Sequence, residues 1–339
     1  MADPIDVLAA QPRVHLGHWP TPLQPCDRLR EAVGGPRVWL KRDDCTGLAG
    51  GGNKTRKLEF LLGRAIADGA TRIVTFGAVQ SNHARQTAAA CAKLGLACDV
   101  ILSRIVPGHD GDYEHTGNVL LDRLFGATVH IVDTPEDAAV RFGELHERHG
   151  ASLFVIVPGG SDATGVLGDV NGSLELAAQA RELALDIERI VVAASTSGTS
   201  SGLRLGTALA GLDVLIDVAC VYHDAVTTRA EIDALVALGA EKLGCPVPPD
   251  DRLLVSDDTF GPGYGVTTSA ALDAIATLAR TEGVLLDPVY TGKAFAHLLE
   301  RIERAELPAD RDVVFVHTGG ATGLFAYVDE IERRLTQEP

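Results

Sequence analysis

The chain has 339 residues, 46% of them hydrophobic, with 46 acidic against 30 basic side chains and a formal charge of −16. That length exceeds the usual single core, so one large domain or two intimately joined ones are expected. The negative charge repels nucleic acid and anionic membranes at long range, so an anionic ligand has to be held by local N–H groups and a few placed cations.

The N-terminal segment Met1-Ala2-Asp3-Pro4-Ile5-Asp6 is acidic and lacks an apolar core, so it does not read as a secretory signal, and no later apolar run is long enough for a bilayer. Cys26, Cys45, Cys91, Cys98, Cys220 and Cys245 are far apart with no C-x-x-C pair. That pattern fits reduced thiols in the cytoplasm better than a disulfide framework or a zinc site.

Next comes Gly50-Gly51-Gly52-Asn53-Lys54-Thr55-Arg56-Lys57-Leu58-Glu59-Phe60, which puts Lys54 where three glycines end and an amphipathic helix begins. Glycine adopts φ > 0 cheaply and lets backbone approach a ligand, and a helix start offers free N–H groups to an anion. A phosphate loop of the G-x-x-x-x-G-K-[ST] type is out of register, because Asn53 separates Gly52 from Lys54. A turn followed by a basic, solvated first helical turn is the plainer alternative for this segment alone.

From residue 71 short β-branched runs alternate with helical ones. Strands are expected at 72–76, 98–102, 128–132, 153–157, 190–194, 214–221 and 313–317, with helices such as 85–94 between them. The alternation predicts an α/β fold with a largely parallel sheet flanked by helices on both faces. Segments 107–115 and 245–251 read as surface loops. His109, Asp110, Asp112, Glu114 and His115 in the first of them follow no familiar ligand spacing, so no metal is expected there.

Ligands of such sheets bind beyond the carboxyl ends of the strands. After the first strand come Ser81, Asn82 and His83. Ser81 or Asn82 is a natural helix N-cap, and the same Ser81 hydroxyl and N–H groups suit a substrate carboxylate while Asn82 suits a ring hydroxyl. The segment Ser195-Thr196-Ser197-Gly198-Thr199-Ser200-Ser201-Gly202 reads as a phosphate cup built from helix-start N–H groups and the Thr196, Ser197 and Thr199 hydroxyls. A dinucleotide fingerprint is incomplete there, with only Gly198 and Gly202 in place, although Asp217 falls where a ribose-binding acid belongs. Tyr264 and Tyr290 sit on glycine-bounded turns as aromatic walls or acid/base groups. A lysine beside a glycine loop, a separate phosphate cup and no nucleotide fingerprint together point to pyridoxal phosphate.

Lys41-Arg42-Asp43-Asp44, Gly51-Gly52-Asn53-Lys54, Gln80-Ser81-Asn82-His83, Gly261-Pro262-Gly263-Tyr264-Gly265, Asp287-Pro288-Val289-Tyr290-Thr291-Gly292 and His317-Thr318-Gly319-Gly320 carry a resemblance in order along the chain, from about Pro20 to the last helix. They resemble the D-cysteine desulfhydrase and 1-aminocyclopropane-1-carboxylate deaminase family, of the tryptophan-synthase-β-like fold type II. The segment Asp44-Cys45-Thr46-Gly47-Leu48-Ala49-Gly50 is similar to that of L-cysteate sulfo-lyases. The resemblance implies two domains, a large cofactor-binding one of about 1–56 and 166–339 and a small one of 57–165, and a homodimer.

It also implies roles. Lys54 carries the cofactor and moves protons at the substrate Cα, Asn82 bonds the ring hydroxyl, and Thr196, Ser197, Gly198 and Thr199 hold the phosphate. Ser81, Asn82 and His83 meet the substrate, Tyr264 and Tyr290 face substrate and ring, and Thr318 is the candidate for the ring nitrogen. Ring-opening deaminases of this resemblance place a glutamate after the Tyr290 position, where this chain has Thr291. A neutral partner favours β-elimination, so D-cysteine desulfhydrase activity is expected first, L-cysteate sulfo-lyase activity next and ring opening last. Thr267-Thr268-Ser269 stands where the family shows Pro-Asn and an acid, which leaves the substrate open. A small amino-acid substrate is the expected partner. The rival classes are a dinucleotide oxidoreductase using Asp217 and a non-catalytic amino-acid binding protein using Ser81 and Tyr290.

Overall fold

A computed structural model describes residues 2–108 and 111–336. Among the described residues ten strands run β1 Leu23–Pro25, β2 Arg37–Lys41, β3 Arg72–Ala78, β4 Ala97–Ser103, β5 Thr128–Val132, β6 Leu153–Ile156, β7 Ile187–Ala194, β8 Leu215–Cys220, β9 Leu253–Ser256 and β10 Asp312–Val316. They form a six-stranded sheet of order β1-β2-β10-β7-β8-β9 and a four-stranded sheet of order β5-β4-β3-β6. Every pairing is parallel except β1 with β2, which is antiparallel.

The alternation of strand and helix seen in the sequence is the cause of this arrangement, since a parallel pair needs a crossover and the crossover covers a face. Central strands therefore read as unbroken apolar runs, and every residue of β10 is buried. All seven expected strands are present. Strands β1, β2 and β9 come in addition, and the helix expected at 85–94 begins earlier, at Asn82.

The connection between the sheets positions the site. Helix Lys54–Ala67 is buried almost all round from Thr55 to Gly63, and Leu58, Leu61 and Leu62 pack in a core with Ala84 and Ala88 of helix Asn82–Leu94. Each of those leucines contributes about 1.5–3 kcal/mol by burial. On its other side the helix meets Val166–Glu182 so closely that a Cβ on Gly168 would lie 2.3 Å from the Arg56 backbone carbonyl. Gly168→Ala would push the two helices apart.

A buried ionic cluster fixes the N-terminal turn. Arg56 donates to Asp43 Oδ1 at 2.7 Å and to Glu175 Oε1 at 2.8 Å, and Lys41 reaches the same Glu175 oxygen at 2.5 Å. Removing one partner of such a cluster leaves an uncompensated buried charge, which is the strongly destabilising case.

Asp217 is buried in β8, where it takes hydrogen bonds from Arg189 at 2.8 Å and His297 at 2.9 Å. It is a structural counter-ion and not a ribose ligand. In the 107–115 loop, His109 and Asp110 lie outside the described residues, Glu114 pairs with Arg104, and His115 lies 3.4 Å from Arg123. Among the described residues no helix is long and apolar enough to cross a membrane.

Candidate active site

The loop ahead of Lys54 is shaped by contacts that only glycine allows. Gly51 has φ +86° and a Cβ there would lie 1.6 Å from the Asp44 carbonyl oxygen, while at Gly52, φ +137°, it would lie 2.3 Å from Gln86 Nε2. Thr46 Oγ1 closes the turn by donating to the Gly52 carbonyl at 3.1 Å and accepting the Gly52 N–H at 3.0 Å. The chain then enters helix Lys54–Ala67 with Lys54 as its first residue.

Lys54 lines a cavity of about 530 Å³ between the two sheets. Its amine donates to Asn53 Oδ1 at 3.1 Å, and Asn53 Nδ2 in turn donates to Thr199 Oγ1 at 2.9 Å. Burial and the nearby Lys57 ammonium lower the Lys54 pKa to about 7 against the pull of Asp169 and Asp287. An amine that is substantially neutral near pH 7 is nucleophilic and basic where an exposed lysine is neither.

Lys57 was missed in the sequence, where it reads as part of a solvated basic turn. One turn after Lys54 and only 1% exposed, it donates to Ser161 Oγ at 3.1 Å and the Gly159 carbonyl at 3.2 Å, with Asp169 Oδ2 at 3.7 Å. Burial lowers its pKa. A Cβ on Gly198 would lie 2.4 Å from its Nζ, so the Ser195 loop and this ammonium are in close approach.

That loop follows β7. Ser197, at φ 57°, turns the chain into helix Gly198–Leu209, and the N–H groups of Thr199 and Ser200 have no backbone acceptor. The Ser200 hydroxyl is buried and has no partner either. Ser161 Oγ meets Thr196 Oγ1 at 2.8 Å, whereas the Ser197 hydroxyl is turned to Glu231 at 2.7 Å. Orphaned donors at a helix start beside a lysine are chemically suited to a phosphate group.

Ser81 does cap the next helix, its Oγ accepting the Ala84 N–H at 3.1 Å, and it also lines the cavity with Asn82 and His83. His83 Nε2 bonds Thr75 Oγ1 at 2.8 Å, and because that hydroxyl donates to the Ile156 carbonyl, the His83 proton sits on Nε2. Burial and the Lys54 and Lys57 charges hold His83 well below its usual pKa, so its ring is neutral. Arg85 points away, donating to the Gly51 carbonyl at 2.8 Å and to the Thr322 hydroxyl.

The opposite wall carries Tyr264 and Tyr290, whose hydroxyls bond each other, with Tyr222 packed edge-on against Tyr264 at 5.0 Å. Burial raises the pKa of both hydrogen-bonded phenols, which keeps them protonated. Thr318 and Gly319 also line the cavity, and the Thr318 carbonyl accepts the Asn53 N–H at 3.0 Å. Every site residue expected from the sequence thus borders one cavity. Asn53, Lys57, Ser200 and Tyr222 join them, with Ser161 behind Lys57 and Thr196.

A desolvated lysine amine in one cavity with a set of unpaired helix-start donors fits a small phosphate ester bearing an aldehyde. The family described as pyridoxal-phosphate dependent enzyme matches residues 14–319. The chain belongs to that family. Its cofactor is pyridoxal 5′-phosphate.

Members of this family similar to the chain include proteins named D-cysteine desulfhydrase from Salmonella newport and Salmonella paratyphi A. Each is 40% identical over 327 residues, 96% of this chain and 98% of the relative. A crystal structure described as that of an ACC deaminase homologue superposes with a TM-score of 0.87 at 36% identity, covering 98% of this chain and 99% of the other. The two-sheet α/β architecture is thus that of fold type II pyridoxal phosphate enzymes.

Proposed function

We propose that the enzyme is a carbon–sulfur lyase that converts D-cysteine and water to sulfide, pyruvate and ammonia. The observation that carries this reading is the Lys54 amine, its pKa lowered to about 7, in one cavity with two protonated phenols. The 40% identity over nearly the whole chain to proteins named D-cysteine desulfhydrase supports it.

Bound pyridoxal phosphate supplies an aldehyde that captures the substrate amine and a ring that accepts the electron pair left at Cα. In this proposal Thr196, Ser197, Gly198 and Thr199 hold its phosphate, aided by Lys57 and the unpartnered Ser200 hydroxyl, while Asn82 bonds the ring hydroxyl and Thr318 the ring nitrogen. Ser81 meets the substrate carboxylate, and Asn82 and His83 border the substrate. Lys54 takes the proton from Cα, and a base with its pKa near the working pH is well matched to that transfer. The Cα–H and Cβ–S bonds break, a Cα=Cβ bond forms, and the sulfur leaves with the Cβ–S electron pair. The Tyr264–Tyr290 pair is the proton source for that sulfur. The aminoacrylate released hydrolyses to pyruvate and ammonia.

L-Cysteate, with sulfite as the leaving group, is the alternative substrate, favoured by segment 44–50. We take residues 1–56 and 166–339 as the large domain and 57–165 as the small one, ranges that each keep one sheet whole. A homodimer follows from the family resemblance, and a cytoplasmic setting is supported by six free cysteines. Sulfide release from both cysteine enantiomers, measured beside sulfite release from L-cysteate, tests the substrate. D-Cysteine is expected to be turned over fastest. Faster release of sulfite transfers the assignment to L-cysteate, and turnover of 1-aminocyclopropane-1-carboxylate alone overturns both.

A further inference from the structure

Behind Asn82 a chain of buried hydrogen bonds has a direction that side-chain chemistry fixes. It begins at Arg85, which is 1% exposed and carries only donors. One arm donates to the Gly51 carbonyl at 2.8 Å and the other to the Thr322 hydroxyl. Since Thr322 Oγ1 accepts from Arg85, its own proton goes to Asn118 Oδ1, at 2.8 Å.

Asn118 is fully buried, and its oxygen is thereby identified as the acceptor. Its amide nitrogen faces two oxygens, the Gln80 carbonyl at 2.9 Å and Asn82 Oδ1 at 3.1 Å. A second lock holds it from the backbone, because the Asn118 N–H donates to Gln80 Oε1 at 2.8 Å. The Gln80 amide is anchored in turn on the Tyr113 and Thr116 carbonyls. With Oδ1 of Asn82 engaged by a donor, the only group of that amide left to face the cavity is its NH₂.

We infer that Asn118 is a positioning residue that, with Thr322 and Arg85 behind it, sets Asn82 so that an N–H and not a carbonyl meets the cofactor's ring oxygen. The inference rests on the reading of Asn82 as the ring-hydroxyl ligand. A reversed Asn82 would present an acceptor to an oxygen that carries negative charge, so the relay decides between attraction and repulsion at that atom. It also joins the glycine loop at Gly51 to the start of helix Asn82–Leu94, two elements that approach the cavity from different sheets.

The test is Asn118→Asp, which keeps the shape and can still accept from Thr322 but has no N–H for Asn82 Oδ1. An acceptor at 118 draws the Asn82 NH₂ toward itself and turns Oδ1 into the cavity. Two readouts are taken on the protein reconstituted with pyridoxal phosphate: cofactor affinity, and the pH midpoint of the bound cofactor's absorption band. Loss of one hydrogen bond to a charged oxygen predicts about tenfold weaker binding and a midpoint about one unit higher, since the ring oxygen then holds its neighbouring proton more tightly. In an Asn82→Ala background the same Asn118→Asp change is expected to add nothing, because its effect passes through Asn82.

Thr322→Val, which removes only the outer link, is expected to shift both readouts in the same direction by less, and it carries the test if Asn118→Asp does not fold. Unchanged affinity and midpoint in both variants, or equal shifts with and without Asn82, overturn the inference. If Asn82→Ala itself leaves cofactor affinity and midpoint untouched, the reading of Asn82 fails and takes the inference with it.

Discussion

The Thr291 hydroxyl donates to Asp287 Oδ1 at 2.6 Å and accepts the Asp287 N–H at 2.8 Å. Asp287 also receives the Val289, Tyr290 and Thr291 N–H groups, each at 2.9 Å, so one carboxylate organises the turn that presents Tyr290. Thr291 is absent from the cavity lining, whereas Thr318 is part of it. The position that holds glutamate in the ring-opening deaminases here serves the turn. Thr291→Val leaves the Asp287 N–H buried without an acceptor and is expected to lower stability by about 1–3 kcal/mol, read as a lower urea midpoint. The absorption of the bound cofactor should stay as in the wild type. A changed spectrum with unchanged stability would give Thr291 a direct role at the ring.

Neighbouring glycines predict opposite outcomes. Gly50 has φ +79° with nothing within 4 Å of an added Cβ, whereas the Cβ at Gly51 meets the Asp44 carbonyl oxygen at 1.6 Å. Gly50→Ala therefore bears only the left-handed strain, about 1–2 kcal/mol. Gly51→Ala must displace the backbone that seats Lys54, and it is expected to lose cofactor binding. Equal cofactor affinity in the two variants would contradict this account of the loop.

Tyr264 and Tyr290 share one hydrogen bond, so their roles are coupled. Each Tyr→Phe change is expected to reduce kcat by about 10²-fold, the lower range for a positioned proton donor. The double variant should fall by clearly less than the product of the two, which steady-state kinetics on all four proteins will show. Since burial raises both phenol pKa values, neither ionises in the neutral range, and the activity of the wild type should show no loss from phenol ionisation below about pH 10.

Asp122 carries a stability prediction away from the chemistry. Its carboxylate is fully buried without a hydrogen-bond partner, and burial raises its pKa from 3.8 to about 8 against the pull of Arg85 and Arg123. The unfolded chain releases this proton near pH 4 while the folded chain keeps it to about pH 8. Between those limits the unfolded state binds fewer protons, so stability falls as pH rises, by up to about 1.4 kcal/mol per unit. Asp122→Asn removes this contribution. Urea midpoints at pH 5 and pH 8 should differ less in the variant than in the wild type, and parallel declines would refute the assignment.

What was legible in the sequence was whatever local pattern encodes. Strands β3 to β8 and β10 announce themselves by apolar runs between helices, and Lys54, Ser81 and the Ser195 loop by glycine and hydroxyl signatures at helix starts. Strand β2 offered only Val38, Trp39 and Leu40 between charged neighbours, and its strand character comes from pairing with β10, about 275 residues later. Lys57 looked solvated because its partners Gly159 and Ser161 arrive from a distant turn. Asn118 gave no signal, since its meaning lies in the direction of a hydrogen-bond chain that crosses four segments.

The central claim is that Lys54 is the amine that carries the cofactor, with Lys57 three residues on serving the phosphate. Borohydride reduction of the cofactor-loaded protein, followed by peptide mass mapping, tests it most directly. The account predicts a pyridoxyl group on Lys54 alone. A pyridoxyl group on Lys57, or on neither lysine, would contradict it.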